Sequence, residues 1–367
     1  MSKSSLYLKY RPTQLDDLVG QKNFVTTIKQ ASKNDRYAHA YLLCGTKGCG
    51  KTSSSRIIAN LLNCEDVQDG KVCGKCKACK TIPFGSAMDV IELDGAKQRK
   101  VEDINNLIDS ASWSPQELKK KVFTIDECHQ LSSTAISSLL KIVEEPPEYL
   151  VFIFCTTEHD KIPDTILSRS QRHMFSKIPS KDIAKRLDYI SNEEGIKIDE
   201  ASLFTLAKMG RGSMRDAIGY LEQISTAAGG KEITEKSVYK YFGVADRKGI
   251  YDLVESMTKG DYSMVMEQSN DMIVGSVEIK GILYEISEVF RNILMIKLQG
   301  EKTQLVDLPD HEIQKLVGLS KGIGLAQLNS LSKEFSSIEK ELTYSINKRL
   351  VLESTLVRCT ARLTKKS

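Results

Sequence analysis

The 367-residue chain contains no run of about 18 consecutive apolar residues, and its opening stretch, Met1 to Lys9, lacks the apolar core of a secretion signal. These absences argue against a membrane-spanning helix and predict a cytoplasmic protein with no membrane partner. Proline is scarce, at eight residues with no cluster, so no proline-rich disordered linker or tail is visible. Strong charge of one sign is also missing. The net charge of +4 permits nucleic acid as a partner without arguing for one. Internal repeats and low-complexity segments are absent. What remains is ordinary globular composition, 41% hydrophobic and 27% charged. At about 150 residues per domain, this length predicts two or three domains.

Against that background the segment Gly45-Thr46-Lys47-Gly48-Cys49-Gly50-Lys51-Thr52 stands out as G-x-x-x-x-G-K-T. An apolar run, Ala40 to Cys44, precedes it as a buried strand, and Ser53 to Leu62 follows with helical spacing. Glycines in that setting let successive backbone N–H groups converge on phosphate oxygens, and the helix adds its positive dipole end. A Gly-rich turn that matched by chance would not also have the strand and helix in place. The motif predicts a bound nucleoside triphosphate, with Lys51 on the β- and γ-phosphates and the Thr52 hydroxyl on Mg²⁺.

Nine cysteines divide into two groups. Cys64, Cys73, Cys76 and Cys79 form C-x8-C-x2-C-x2-C, whereas Cys44, Cys49, Cys128, Cys155 and Cys359 stand alone and read as small core residues. A reducing compartment disfavours two disulfides, and paired C-x2-C spacing suits four thiolates around a tetrahedral Zn²⁺. Four thiolates leave no open position on the metal. The zinc would therefore staple an excursion of the chain and take no part in catalysis.

Further apolar, β-rich runs at Asp89–Leu93, Val122–Ile125 and Val151–Cys155 join Tyr41–Cys44, with helical patterns between them. The alternation predicts a mostly parallel α/β sheet covered by helices, with ligands at the carboxyl ends of the strands. The predicted domains are an α/β domain over 1–178 with the cysteine insertion at about 64–79, a small helical module over 179–242, and an all-helical domain over 243–367. Short helices are expected at Ala184–Ile190, Ala201–Met209 and Ser213–Ile224. A long helix is expected over Ile338–Arg358, with Ile338, Leu342, Ile346, Leu350 and Val357 as its apolar stripe.

The strand Val122–Ile125 runs into Asp126 and Glu127. Such a pair at the edge where the phosphate loop opens suits Asp126 to Mg²⁺ and Glu127 to polarising an attacking water, which makes the chain a candidate hydrolase. His129 follows closely and reads as packing or as a solvated side chain, without a catalytic role. The run Val151–Cys155 ends in Thr156 and Thr157, whose hydroxyls either sense the γ-phosphate or are ordinary strand-end threonines. Arg169, at the end of a short helix, is either a surface residue paired with an acid or a guanidinium for the γ-phosphate of a neighbouring subunit. Ser213 caps a helix with Asp216 three residues on, which puts Arg215 in the first turn, either solvated or reporting the γ-phosphate.

In this order these residues resemble the AAA+ family of oligomeric ATPases, and within it the bacterial DNA polymerase III γ/τ clamp-loader family. Leu8-Lys9-Tyr10-Arg11-Pro12, Val19-Gly20-Gln21, His39-Ala40-Tyr41-Leu42, the cysteine insertion, Lys141-Ile142-Val143-Glu144-Glu145-Pro146-Pro147 and Ile166-Leu167-Ser168-Arg169 carry the likeness, which is dense over roughly 5 to 225. Asn347-Lys348-Arg349-Leu350-Val351-Leu352-Glu353 looks like the family's last collar helix.

The resemblance implies an AAA+ P-loop ATPase domain with a RecA-like sheet, a helical lid and an all-α collar. It implies assembly with δ and δ′ subunits and further copies of the chain, and action on a ring-shaped sliding clamp (β) and primed-template DNA. Lys51, Thr52, Asp126, Glu127, Thr157 and Arg215 would serve the ATP site in cis, Arg169 would act in trans, and Arg11 with the Val19-Gly20 turn would lie near the adenine. Lys97, Arg99 and Lys100 are candidate DNA contacts, with Gln98 where the family tends to have a basic residue. Ser170 replaces the family's cysteine after the trans arginine, and Lys348 replaces a proline of the collar motif. Ending near Ser367, the chain resembles the shorter γ form. The rival expectations are another AAA+ DNA motor of the branch-migration type, which would not be expected to carry the cysteine insertion, and a non-hydrolysing structural subunit, against which Lys51, Thr52, Asp126 and Glu127 argue.

Overall fold

The computed structural model describes residues 5–97, 101–275, 277–301, 303 and 305–364. They form two compact units. One holds the described residues up to Ile196 together with Leu206–Thr226, and the other holds Lys197–Thr205 and the described residues from Ala227 on.

The first unit is built on strands β1 (Ala40–Gly45), β4 (Val90–Asp94), β5 (Lys121–Asp126), β6 (Leu150–Thr156) and β7 (Gln171–Phe175), with β2 (Val67–Gln68) and β3 (Lys71–Val72) forming a separate hairpin. The main sheet has the order β4-β5-β6-β1-β7, and all its pairings are parallel. Successive side chains of a strand point to opposite faces, and here both faces are covered. Tyr41 and Leu43 of β1, with Val151, Ile153 and Cys155 of β6, enter a core shared with Phe24, Ile28, Ile57 and Ile58. Ala40, Leu42 and Cys44, with Phe152 and Phe154, enter a second core shared with Ile104, Leu107, Ala135 and Leu139. Burial on two faces explains why β1 and β6 read as unbroken apolar runs and β5 as one broken only by the buried Thr124.

The fifth strand, β7, was not among the runs expected from sequence. It pairs with β1 from Tyr41↔Gln171 to Gly45↔Phe175, and as an edge strand it buries only His173 and Phe175. The His173 ring lies against Phe24 and Tyr41. One buried face leaves a polar, alternating sequence with no apolar run to find. The β2–β3 hairpin was also missed, although its turn carries the Asp69-Gly70 signature. Both residues have positive φ, 50° and 76°, as a two-residue type I′ turn requires.

Helices Ser180–Glu194 and Met214–Ala228 follow the sheet. The helix Ser133–Glu144 stops at Glu145 because the residue before Pro146 is excluded from the helical region.

The second unit is helical. Its helices include Arg247–Lys259, Tyr262–Val274, Ile279–Gln299, Asp310–Ser320, Leu325–Tyr344 and Lys348–Thr364, closed around Leu253, Val254, Ile282, Ile286, Ile293, Leu328, Leu331 and Leu356. The expected helix over Ile338–Arg358 is corrected here. Ser345 is extended, and the Asn347 side chain accepts a hydrogen bond from the Leu350 N–H at 3.1 Å, so a new helix starts under its own cap. The expected stripe breaks with it. Ile338 and Leu342 are buried, but Ile346, Leu350 and Val357 are 105%, 60% and 43% exposed, and the restarted helix buries Leu352, Leu356, Cys359 and Leu363 instead.

Candidate functional site

The phosphate loop leaves β1 at Gly45 and enters the helix Lys51–Asn63 through Gly50, whose φ is 107°. Gly48 is required twice over. Its φ is 75°, and a Cβ there would lie 1.9 Å from the Ser213 Oγ. The Gly48 carbonyl accepts from the Met214 N–H at 3.1 Å, so the loop touches the start of the helix that carries Arg215. Ser213 caps that helix as expected, accepting from the Asp216 N–H at 3.2 Å. Gln21 fixes the loop from the other side, its amide donating to the carbonyls of Cys49 at 3.3 Å and Ser176 at 2.9 Å. The Cys49 thiol faces the Thr46 carbonyl at 2.8 Å, and burial pushes it up from its ordinary range.

Lys51 is 6% exposed and donates to the carbonyls of Gly45 at 2.8 Å and Thr46 at 3.0 Å. The Thr52 hydroxyl donates to the Asp126 carboxylate at 2.8 Å. The separation fits a magnesium site, because two adjacent oxygens of an octahedron with bonds of 2.0–2.1 Å lie about 2.9 Å apart.

Glu127 follows in the left-handed region at φ 47° and ψ 43°, and accepts from the Thr157 hydroxyl at 3.0 Å. Thus β1, β5 and β6 deliver Thr52, Asp126, Glu127 and Thr157 to one network at the carboxyl edge of the sheet. His129 joins it. Its Nδ1 lies 3.0 Å from the Thr156 hydroxyl and 3.5 Å from Glu127, and its Nε2 lies 3.1 Å from Glu158. Sequence reading gave His129 no role. Its contacts with Thr156 and Glu158 come from the next strand and its end, which local sequence does not reveal.

These residues border a cleft of about 900 Å³, open mouth included, lined by Tyr7, Arg11, Val19, Lys47, Gly48, Cys49, Gly50, Lys51, Thr52, Asp126, Glu127 and Arg215 among others. Gly45 and Thr46 do not line it, and their carbonyls hold the Lys51 ammonium instead. Positive charge is concentrated here. Burial first, then the charge of Arg56 and further that of Arg215, depress the Arg11 guanidinium below its ordinary value. A cleft that crowds cations suits a polyanion.

Arg169 is not brought to this cleft. It ends the helix Asp164–Arg169 and pairs with Glu144 at 2.8 Å, its guanidinium also donating to the Thr165 carbonyl at 3.1 Å. Of the basic turn, Lys97 is 83% exposed and 3.7 Å from Asp94, and Gln98, Arg99 and Lys100 lie outside the described residues.

The cysteine cluster forms as its spacing predicts. Cys64 caps the helix Lys51–Asn63, Cys73 follows β3, and Cys76 and Cys79 open the short helix Lys77–Thr81. The four sulfurs lie within 4.8 Å of one another, with Cys64–Cys79 at 3.7 Å, Cys64–Cys76 at 3.9 Å and Cys73–Cys79 at 4.0 Å. Tetrahedral ligands at 2.3 Å from zinc would be about 3.8 Å apart, so the cluster is compatible with that metal. Backbone N–H groups of Lys75 and Cys76 pull the Cys73 thiol down to about 6, whereas burial pushes the Cys64 and Cys79 thiols up. The five other cysteines are buried and separate from this cluster.

Family comparisons cover most of the chain. Residues 20–179 match the family described as DNA polymerase III, delta subunit, residues 182–230 match the DNA polymerase III clamp loader subunit, ATPase lid domain, and residues 233–366 match DNA polymerase III subunits gamma and tau domain III. The DNA polymerase III subunit tau of Escherichia coli is 33% identical over 98% of this chain and 56% of its own length. That of Bacillus subtilis is 36% identical over 81% of this chain and 53% of its own. The chain thus spans about half the length of the curated relatives it matches. Among solved structures, the RuvB Holliday junction branch migration motor of Thermotoga maritima aligns over 68% of this chain and 79% of its own, at 19% identity and a TM-score of 0.49. Among the described residues no helix is long and apolar enough to cross a membrane.

Proposed function

Because the chain belongs to the bacterial DNA polymerase III gamma/tau family of AAA+ clamp-loader proteins, we propose that it is the ATP-driven motor subunit that opens a sliding clamp and loads it onto primed DNA. The observation that carries this reading is the joining of the phosphate loop to the acidic pair. Thr52 touches Asp126, and Glu127 is held by Thr157, all beside the cleft that Lys51 enters.

In the proposed cycle Lys51 leaves the carbonyls of Gly45 and Thr46 for the β- and γ-phosphates, while the N–H groups of the loop from Thr46 to Gly50 cradle the rest. Arg11 and Val19 border the adenine side. Thr52 and Asp126 would hold Mg²⁺, which when bound neutralises charge on the β- and γ-oxygens. Glu127 orients and polarises the attacking water, and Thr157 fixes the carboxylate that does so. Arg215 contacts the γ-phosphate in cis, and Arg169 reaches that of a neighbouring subunit in trans. The Glu144 pairing holds the Arg169 side chain in place until a neighbour arrives.

ATP binding would supply the free energy for opening the clamp, and hydrolysis would reset the assembly around DNA. The proposed partners are δ and δ′ subunits, further copies of this chain, the clamp and primed-template DNA. The proposed division is an ATPase domain over 1–178, a lid over 179–242 and a collar over 243–367. Zinc on Cys64, Cys73, Cys76 and Cys79 would staple the excursion after the first loop helix.

Calorimetric titration tests the nucleotide site. ATP binds the native chain and is expected not to bind Lys51→Ala. Equal affinity in the two would remove the basis of the reading.

A further inference from the structure

The cleft contains an aromatic ring that the ATP reading leaves without a task. Tyr7 lies in the short helix Leu6–Lys9, and its ring faces two guanidinium groups, that of Arg215 at 4.5 Å and that of Arg11 at 6.0 Å. All three residues line the cleft that holds Lys51 and Thr52. Arg11 has a further contact, donating to the Ser53 hydroxyl at 3.3 Å. Among the described residues the Arg215 guanidinium has no hydrogen-bond or ion-pair partner, and it lies over the Tyr7 ring.

We propose that Tyr7 is a positioning residue of the nucleotide site, holding Arg215 ready for the γ-phosphate and so setting the preference for ATP over ADP. The inference rests on the ATP-site reading above. A guanidinium lying over a ring face is held without an acceptor atom, so its five N–H donors stay free for phosphate oxygens. An acidic partner would occupy those same donors and compete with the phosphate. The ring therefore fixes the arginine without consuming what the ligand needs. It also lies near both Arg11 and Arg215, whose like charges would otherwise drive the side chains apart.

The ring is itself fixed to the element that carries Arg215. The Ser5 hydroxyl donates to Glu222 at 2.7 Å, and Glu222 is on the same helix as Arg215. Lys9 pairs with Glu194 at 2.6 Å, the Tyr10 hydroxyl donates to that same carboxylate, and the Tyr10 ring meets Tyr189 edge-on at 6.3 Å. Arg186 donates to the Tyr10 carbonyl at 3.3 Å. The segment 5–10 is thus tied to the helices Ser180–Glu194 and Met214–Ala228, the second of which carries Arg215.

The experiment titrates ATP and ADP, with magnesium, into the full chain and its Tyr7→Leu, Tyr7→Phe and Arg215→Ala variants. Tyr7→Leu is expected to weaken ATP about three- to tenfold and to leave ADP within about twofold. Tyr7→Phe keeps the ring and should match the native chain, because the hydroxyl has no part in the argument. In an Arg215→Ala background Tyr7→Leu should have no further effect. Should Tyr7→Leu fail to fold, Tyr7→Met keeps bulk without a ring and carries the same expectation. Equal weakening of ATP and ADP, a defective Tyr7→Phe, or additive effects of the two substitutions would each overturn the proposal. Failure of the native chain to bind either nucleotide would instead overturn the ATP-site reading, and this inference with it.

Discussion

Glu127 occupies a backbone conformation that a non-glycine residue adopts at a cost of roughly 1–2 kcal/mol, and it does so immediately after a fully regular strand. The turn carries the carboxylate off the sheet to the Thr157 hydroxyl, within reach of His129. Replacing Glu127 by Gln keeps the shape and one acceptor but removes the charge proposed to polarise water. Phosphate release at steady state should fall about 10²- to 10⁴-fold with ATP affinity unchanged, and undiminished turnover would refute the assignment. The loop residues and the acidic pair were readable because each sits within eight residues of its strand. Tyr7, Gln21 and His129 were not, since each acts on a residue brought to it by the fold.

At the scale of elements, legibility largely follows burial, although β4 was read while only partly covered. Strands β1, β5 and β6 are covered on both faces and announce themselves as apolar runs, whereas β7 is covered on one and does not. The helix break at Ser345–Asn347 escaped the periodicity because the apolar spacing runs through it, while capping side chains decide where the backbone turns. The cysteine module was legible for a different reason, that metal geometry dictates spacing directly. Elemental analysis should find about one zinc per chain and none once the four cysteines are replaced. Chelation should lower the melting temperature of the native chain and leave that variant unmoved. Metal-free native protein with unchanged melting would contradict the staple.

For the whole molecule, the informative residue is the one the cleft lacks. Lys51, Thr52, Asp126, Glu127 and Arg215 converge on one site, and Arg169 stands elsewhere, paired with Glu144. A site that needs this arginine is completed only by a neighbour. Mixing Arg169→Ala chains with Lys51→Ala chains should therefore restore turnover in part, because a boundary between the two can pair an intact loop with an intact arginine. No recovery in any ratio, with assembly intact, would put Arg169 to work in its own subunit. The central claim, that ATP drives clamp loading, is tested most directly by combining the chain with δ, δ′, clamp and primed circular DNA and measuring clamps retained on the DNA alongside ATP consumed. The account predicts loading that requires ATP and hydrolysis stimulated by clamp and primed DNA together. Hydrolysis indifferent to both, or clamps loaded equally well without nucleotide, would contradict it.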